Sequence, residues 1–236
     1  SPSPSPPRSV TDPLIVAHGQ PGDPEGQQRA VEELAAQVSA LLGRRVRGAT
    51  LAAPGALERA LTPGAPVYPL FMAGGWFTRV ELPRRLALAG AEDPRILPPL
   101  GADPGLPALC LSLLTRAAGD NGWQLAETAL LIAGHGSGRS RAPAQAVHDL
   151  GGVLRPHVAR LTCGFIEEPP HVAESARGFG PRAICLPFFA TRAEHVTDDL
   201  PRALAQAGFQ GVVLPPIGLA DEIPAMIARA ISRADL

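Results

Sequence analysis

Lysine is missing altogether: all 21 basic side chains among the 236 residues are arginines. That rules out chemistry through a lysine Schiff base and a phosphate loop of the Gly-Lys-Ser/Thr kind. Cysteine is scarce, and the three present (Cys110, Cys163, Cys185) are far apart and set in apolar stretches. With no Cys-x-x-Cys pair, a thiolate zinc site or an iron–sulfur cluster is not expected. Buried thiols in a reducing compartment are. Apolar runs are short, none reaching the roughly 18 residues of a membrane span. Excess charge is lacking too: the net charge is −1, so neither a nucleic acid nor a membrane is an expected partner. The opening Ser1-Pro2-Ser3-Pro4-Ser5-Pro6-Pro7 has no apolar signal region; residues 1–13 read as a disordered tail and the protein as cytoplasmic.

What the chain does have is a duplication. Leu14-Ile15-Val16-Ala17-His18-Gly19 returns as Leu131-Ile132-Ala133-Gly134-His135-Gly136, Val67-Tyr68-Pro69-Leu70-Phe71 as Cys185-Leu186-Pro187-Phe188-Phe189, and Leu82-Pro83 as Leu200-Pro201. His135 follows His18 by 117 positions and Pro201 follows Pro83 by 118. A period this long means duplicated domains rather than a solenoid, whose repeats run about 20–50 residues. The expected units are residues 14–124 and 125–236.

Short apolar runs alternate with helical patterns in both copies, which predicts an α/β fold: two tandem domains, each a parallel sheet flanked by helices, facing each other across a cleft. Strands are expected at Leu14–Ala17, Val46–Leu51, Val67–Met72 and Ile96–Leu97, then at Ala129–Ala133, Leu161–Ile166, Ala183–Leu186 and Val212–Leu214. Helices are expected from Val31 to Leu42, over Leu106–Ala117, and near Ala144–Leu154, His171–Arg177, Asp199–Gln206 and Asp221–Ala234. Ligands of such sheets bind outside the carboxyl ends of the strands. In the second copy that edge receives His135 from the first strand, Glu167 and Glu168 from the second, and His195 from the loop after the third. Two imidazoles and a carboxylate suit a first-row divalent metal, and they suit proton transfer near neutral pH equally well. In an extended chain Glu168 points away from Glu167, which leaves open which of the two is the ligand. His148, His157 and His171 fall in or near helices and are expected to be exposed. Asp198 and Asp199 read as helix caps.

The copies differ where it matters. Counted from the shared Leu-Pro, His195 stands opposite Phe77; counted from Pro54 and Pro169, Glu167 stands opposite Ala52. Only His18 survives, opposite His135. The first copy has lost the carboxylate and one imidazole together, so the second copy is read as the working one.

The His-Gly-Ser turn after the first strand, the strand end Phe165-Ile166-Glu167 and the block Leu186-Pro187-Phe188-Phe189 through His195-Val196-Thr197-Asp198-Asp199-Leu200-Pro201 resemble the class II chelatases, the CbiX-type sirohydrochlorin cobaltochelatases and ferrochelatases. The resemblance covers both copies, in a two-domain form with the site in the C-terminal half. It implies insertion of cobalt or iron, with nickel as a further candidate, into sirohydrochlorin or a related tetrapyrrole on the way to cobalamin or sirohaem. The metal is then a substrate, and no organic cofactor is expected. It also implies that His135, Glu167 and His195 form the catalytic and metal-holding set. Arg139, Arg141 and Arg192 are candidate clamps for the macrocycle's carboxylates, since a guanidinium pairs with a carboxylate through two parallel bonds. Ser137 can offer a hydroxyl or backbone N–H, while Trp76, Phe77 and His18 are candidates for a flat wall or a substrate contact. A non-catalytic carrier of metal or tetrapyrrole with the same fold is the alternative, because a carrier would keep the same ligands. A hydrolase ranks low, since no Gly-x-Ser-x-Gly elbow is present. Oligomeric state is left open.

Overall fold

The computed structural model describes residues 11–192 and 198–235. Two four-stranded, wholly parallel sheets form its frame. The first contains β1 (Leu14–Ala17), β2 (Arg47–Thr50), β3 (Pro66–Pro69) and β4 (Arg95–Ile96), in the order β2-β1-β3-β4. The second contains β5 (Ala129–Gly134), β6 (Arg160–Phe165), β7 (Ala183–Pro187) and β8 (Val212–Val213), in the order β6-β5-β7-β8. The register repeats with the order: Leu14 faces Arg47 and Val67, as Leu131 faces Thr162 and Cys185. The central strands read as continuous apolar runs because helices cover both faces of each sheet; Leu14–Ala17 and Leu130–Ala133 are buried throughout.

Helix α1 (Pro24–Leu42) shows how local chemistry sets the elements. The Asp23 carboxylate accepts from the Gly26 amide at 3.1 Å, Pro24 occupies the first turn, and Gly43 stops the helix at φ 66°. Val31, Ala35 and Val38 form its buried stripe. The Gln28 carboxamide then closes the outer edge of β2, donating to the Gly48 carbonyl (3.0 Å) and accepting from the Thr50 amide (2.8 Å). On the equivalent edge of β6, Ser175 Oγ donates to the Cys163 carbonyl (2.8 Å) and Thr162 Oγ1 to the Ser175 carbonyl (2.9 Å). Both exposed edges are thereby blunted against pairing with another strand.

The closing helices are exchanged. Helix α4 (Leu106–Asp120) ends the first half but packs on the second half, against β7 and α5 (Ala142–Leu154); α8 (Ile223–Ala234) ends the second half but packs on α1 and β3. One apolar core therefore runs through both halves, joining Ile15, Val38, Leu109 and Leu114 to Ile132, Ile184, Ile227 and Ile231. The outer faces have separate cores around Leu86 and Phe71 and around Leu200 and Phe189. Arginines hold both ends of α8: Arg116 of α4 binds Glu222, Arg95 donates to the Ala234 carbonyl, and Arg44 meets Asp235 at 2.7 Å. Beneath it, Tyr68 donates its hydroxyl to the buried Asp103 (2.9 Å), which also accepts from the Gly105 amide (2.8 Å) and lies 3.8 Å from Arg233 of α8.

Several expectations change. The expected strand to Met72 ends at Pro69, because Phe71 is drawn aside by the Gly101 amide, which donates to its carbonyl at 3.0 Å. Helices α2 (Ala56–Ala60) and α3 (Leu82–Leu88), the latter preceded by a π-helical turn at Phe77–Glu81, carry too short an apolar pattern to be read in advance. Helix α6 is confined to Val172–Ser175. Asp199 does not cap α7 (Leu200–Gln206): its backbone is already helical (φ −71°, ψ −42°) and its carboxylate lies 3.9 Å from Arg202 instead. Of the tail placed at 1–13, residues 1–10 lie outside the described residues, and Thr11–Pro13 are tied down, Thr11 by Arg44 (2.9 Å) and Asp12 by Arg47 (2.8 Å). All three cysteines are buried and free, and burial pushes the Cys110 and Cys185 thiols up to about 12. Such thiols are poor nucleophiles. Among the described residues no helix is long and apolar enough to cross a membrane.

Candidate active site

Two crossings bring the carboxyl ends of the sheets together. Gln27, at the start of α1, donates to the Arg192 carbonyl (3.3 Å) in the loop after β7. In the loop after β3, Gly75 sits so close to the start of α5 that a Cβ there would lie 3.2 Å from that of Ala142. The turn after β1 carries His18 and the turn after β5 carries His135, each at the carboxyl end of its sheet.

The His135 turn is held by the backbone. Ile166 donates to the Gly134 carbonyl (3.1 Å) and Glu167 to the His135 carbonyl (2.9 Å), which ties the end of β6 to the turn after β5. His135 Nε2 then lies 3.5 Å from Glu167 Oε1, with both side chains close to half exposed. Its Nδ1 is 3.1 Å from the Gly136 carbonyl, which favours a proton on Nδ1 and leaves Nε2, the nitrogen facing Glu167, as the donor to a cation. Gly136 is needed here, since its φ is 69° and a Cβ would fall 2.8 Å from Glu168 Cγ and 2.9 Å from Phe165 Cβ. Glu168 packs against the His135 turn at Gly136. The strand has ended at Phe165, so strict alternation no longer applies to Glu167 and Glu168.

The other candidate residues fall into two groups. Ser137 Oγ accepts from the amides of Arg139 (3.0 Å) and Ser140 (3.2 Å), so its oxygen shapes the turn. Arg139, Arg141 and Arg192 are exposed and without an ion-pair partner among the described residues. His195 lies outside the described residues. Among the described residues no three His, Cys, Asp or Glu side chains converge as a metal cage; His135 and Glu167 supply two donors. His148, His157 and His171 are exposed.

The first half repeats the frame without the carboxylate. Leu51 donates to the Ala17 carbonyl (3.0 Å) and Ala52 to the His18 carbonyl (3.0 Å), the same two bonds that anchor Glu167. Gly19 has φ 73°, matching Gly136. Around His18 an aromatic cluster replaces the charge: Phe71 stacks on the imidazole at 4.1 Å and 25°, Phe77 meets it at 4.6 Å, and the two phenyl rings contact edge-on at 5.4 Å. Burial by these rings lowers the His18 pKa, with no charged neighbour contributing. Beside them Trp76 is 63% exposed. The stack of Phe71 on His18 was not anticipated; the apolar run Leu70-Phe71-Met72 marks a buried segment but not the ring it meets. A groove of about 590 Å³ also runs between the halves, lined by Ala73, Gly74, Asp103, Ala142, Gln145 and Asp149.

The sequence model of the CbiX family matches residues 129–234. The chain is also 65% identical, over 94% of its length and 99% of the other chain, to a solved CbiX described as the terminal enzyme for biosynthesis of sirohaem in denitrifying bacteria, with a TM-score of 0.90. It belongs to the CbiX family. SirB of Bacillus subtilis with Fe3+ shares the fold of this CbiX-family chain at 13% identity and a TM-score of 0.71, covering 94% of each chain. The sirohydrochlorin chelatase SirB of Bacillus subtilis subspecies spizizenii in complex with cobalt does so at 15% and 0.63, again over 94% of each chain. A search of curated proteins found no match. The family match of the second half spans His135 and Glu167.

Proposed function

We propose that this CbiX-family protein inserts Fe2+ into sirohydrochlorin, forming sirohaem, with 125–236 as the working domain and 14–124 as its degenerate partner. The observation that carries this reading is the His135–Glu167 pair, 3.5 Å apart and close to half exposed at the carboxyl end of the second sheet. Its support from outside is the 65% identity to a CbiX described as a sirohaem enzyme. Cobalt is the second reading, because a SirB of the same fold binds it.

The reaction exchanges two pyrrole N–H protons for one dication. His135 Nε2 and one oxygen of Glu167 hold the incoming cation, and His195 is the proposed third donor. Such a set neutralises part of the cation's charge yet leaves coordination positions open, so the metal can be passed to the pyrrole nitrogens. Arg139, Arg141 and Arg192 clamp the macrocycle's carboxylates by charge-assisted hydrogen bonds. Ser137 keeps the His135 turn in shape, and Trp76, Phe77 and His18 form the opposing wall. Anaerobic mixing of the protein with sirohydrochlorin and Fe2+, Co2+ or Ni2+, followed by absorbance, tests the reading. Insertion faster than the uncatalysed rate, and fastest with Fe2+, is expected. If none of the three metals is inserted faster than in buffer, the enzyme reading falls.

A further inference from the structure

In the proposed function both imidazoles of the metal-holding set, His135 and His195, are metal donors. A nitrogen lone pair bound to a cation cannot accept a proton, so His135 is blocked at the moment the pyrrole protons must leave. The first half retains one histidine in the matching turn. His18 is fixed by the same backbone bonds as His135 (Ala52 amide to its carbonyl, 3.0 Å), and no carboxylate accompanies it, since Ala52 occupies the position of Glu167. Its ring makes no hydrogen bond among the described residues, and the residue remains exposed although Phe71 stacks on one face of the ring and Phe77 meets it at a tilt of 57°. The halves are bridged by Gln27 donating to the Arg192 carbonyl and by Gly75 against Ala142, both in loops at the carboxyl ends of the sheets, so a macrocycle seated between the two turns would have one of these histidines on each side.

We propose that His18 is the proton acceptor of the reaction, taking the pyrrole protons from the macrocycle face opposite to the metal; the proposal rests on the chelatase reading above. Each N–H bond breaks with its electron pair left on the pyrrole nitrogen, and that pair binds the entering dication. The proton passes to a ring nitrogen of His18 and from there to water, which frees the imidazole for the second proton. The immediate surroundings of the ring carry no charge. Phe71 from the end of β3, Phe77 from the π-helical turn and Ala52 from the end of β2 bear no charge, and Glu81 at the end of that turn is engaged by Arg84 at 2.6 Å. Phe71 and Phe77 also fix the imidazole against rotation, as a base that must meet a flat ring requires.

The experiment compares wild-type protein with His18→Gln and His18→Ala, using sirohydrochlorin and Co2+, and measures Co2+ binding separately. The expected result is a kcat lowered roughly 10²–10⁴-fold in both variants, the usual contribution of a positioned base, with Co2+ affinity and the KM for sirohydrochlorin within a few-fold of wild type. Added imidazole should restore insertion to His18→Ala in proportion to its concentration, and the acid limb of the wild-type pH profile should vanish in both variants. A variant kcat within threefold of wild type, while wild type itself inserts Co2+, overturns the role of His18 and leaves the chelatase reading standing. A lowered kcat that imidazole does not restore, with the pH profile unmoved, overturns it as well by making His18 structural. Wild-type protein that inserts no metal overturns both.

Discussion

The Glu167 amide bonds to the His135 carbonyl at 2.9 Å, and the same bond joins Ala52 to His18 at 3.0 Å in the other half. The two turns are thus one backbone device with different side chains, and the chemistry of each half is set at the residue after the shared bond. Glu167→Ala gives the second half the residue that the first half has at this position. Because Glu167 is close to half exposed, the fold should be indifferent to its loss, while Co2+ affinity should fall by at least the 10–100-fold that losing even an outer partner of a metal ligand causes. Calorimetric titration with Co2+ checks this, and Glu168→Gln should fall less. A larger loss for Glu168→Gln would transfer the ligand role to Glu168.

The reverse exchange is also testable. Ala52→Glu with Phe77→His gives the first half the carboxylate and imidazole that the second half has at the corresponding positions. The double variant is expected to bind a second Co2+ per chain, seen as a change in stoichiometry from one to two. A stoichiometry that stays at one would show that the first half has diverged in more than these two positions.

Gly136 is held at φ 69° with Phe165 and Glu168 crowding its α-carbon. Gly136→Ala combines an unfavourable left-handed backbone with overpacking, for a cost on the order of 2–4 kcal/mol. Denaturant unfolding measures that cost. Gly138→Ala is the control, because a Cβ there meets nothing within 4 Å; equal destabilisation of the two variants would refute the crowding.

How much of this was open to sequence reasoning differs by link in the chain. The place of His135 was legible, because an apolar run ending in Gly-His-Gly fixes both a buried strand and the turn that follows it. The correspondence of Ala52 with Glu167 was legible from two prolines, and the repeated backbone bonds agree with it. The exchange of α4 and α8 was not. Leu106, Leu109 and Leu114, like Ile223, Ile227 and Ile231, announce that a face will be buried, but amphipathic spacing carries no information about which sheet will bury it. Which of Glu167 and Glu168 is the ligand was not legible either, because alternation holds only while the chain stays in the ladder, and the ladder ends at Phe165.

That exchange predicts a cooperative molecule. Ile227 and Ile231 of α8 are fully buried, in the same core as Ile15 of the first sheet and Ile132 of the second. Ile227→Ala should cost roughly 2–5 kcal/mol. Since each half leans on the other's last helix, calorimetry should show one unfolding transition, shifted as a whole by the variant. Two separate transitions, with only one displaced, would show that the halves fold independently.

His18 gives the last expectation, which concerns pH. Its pKa is lowered from 6.5 by burial among Phe71 and Phe77, so between the lowered value and 6.5 the unfolded chain binds a proton that the folded chain does not. Stability rises with pH wherever the unfolded state holds more protons. The His18 contribution is therefore fully present above 6.5 and is lost as pH falls through the lowered folded value. His18→Phe removes the titrating group while keeping a ring against the two phenylalanines. Its stability should fall less steeply than that of wild type as pH drops below 6.5, in paired urea titrations. Identical slopes for the two proteins would mean that the imidazole is as well hydrated in the folded state as in the unfolded one, and the aromatic enclosure would then have no electrostatic consequence.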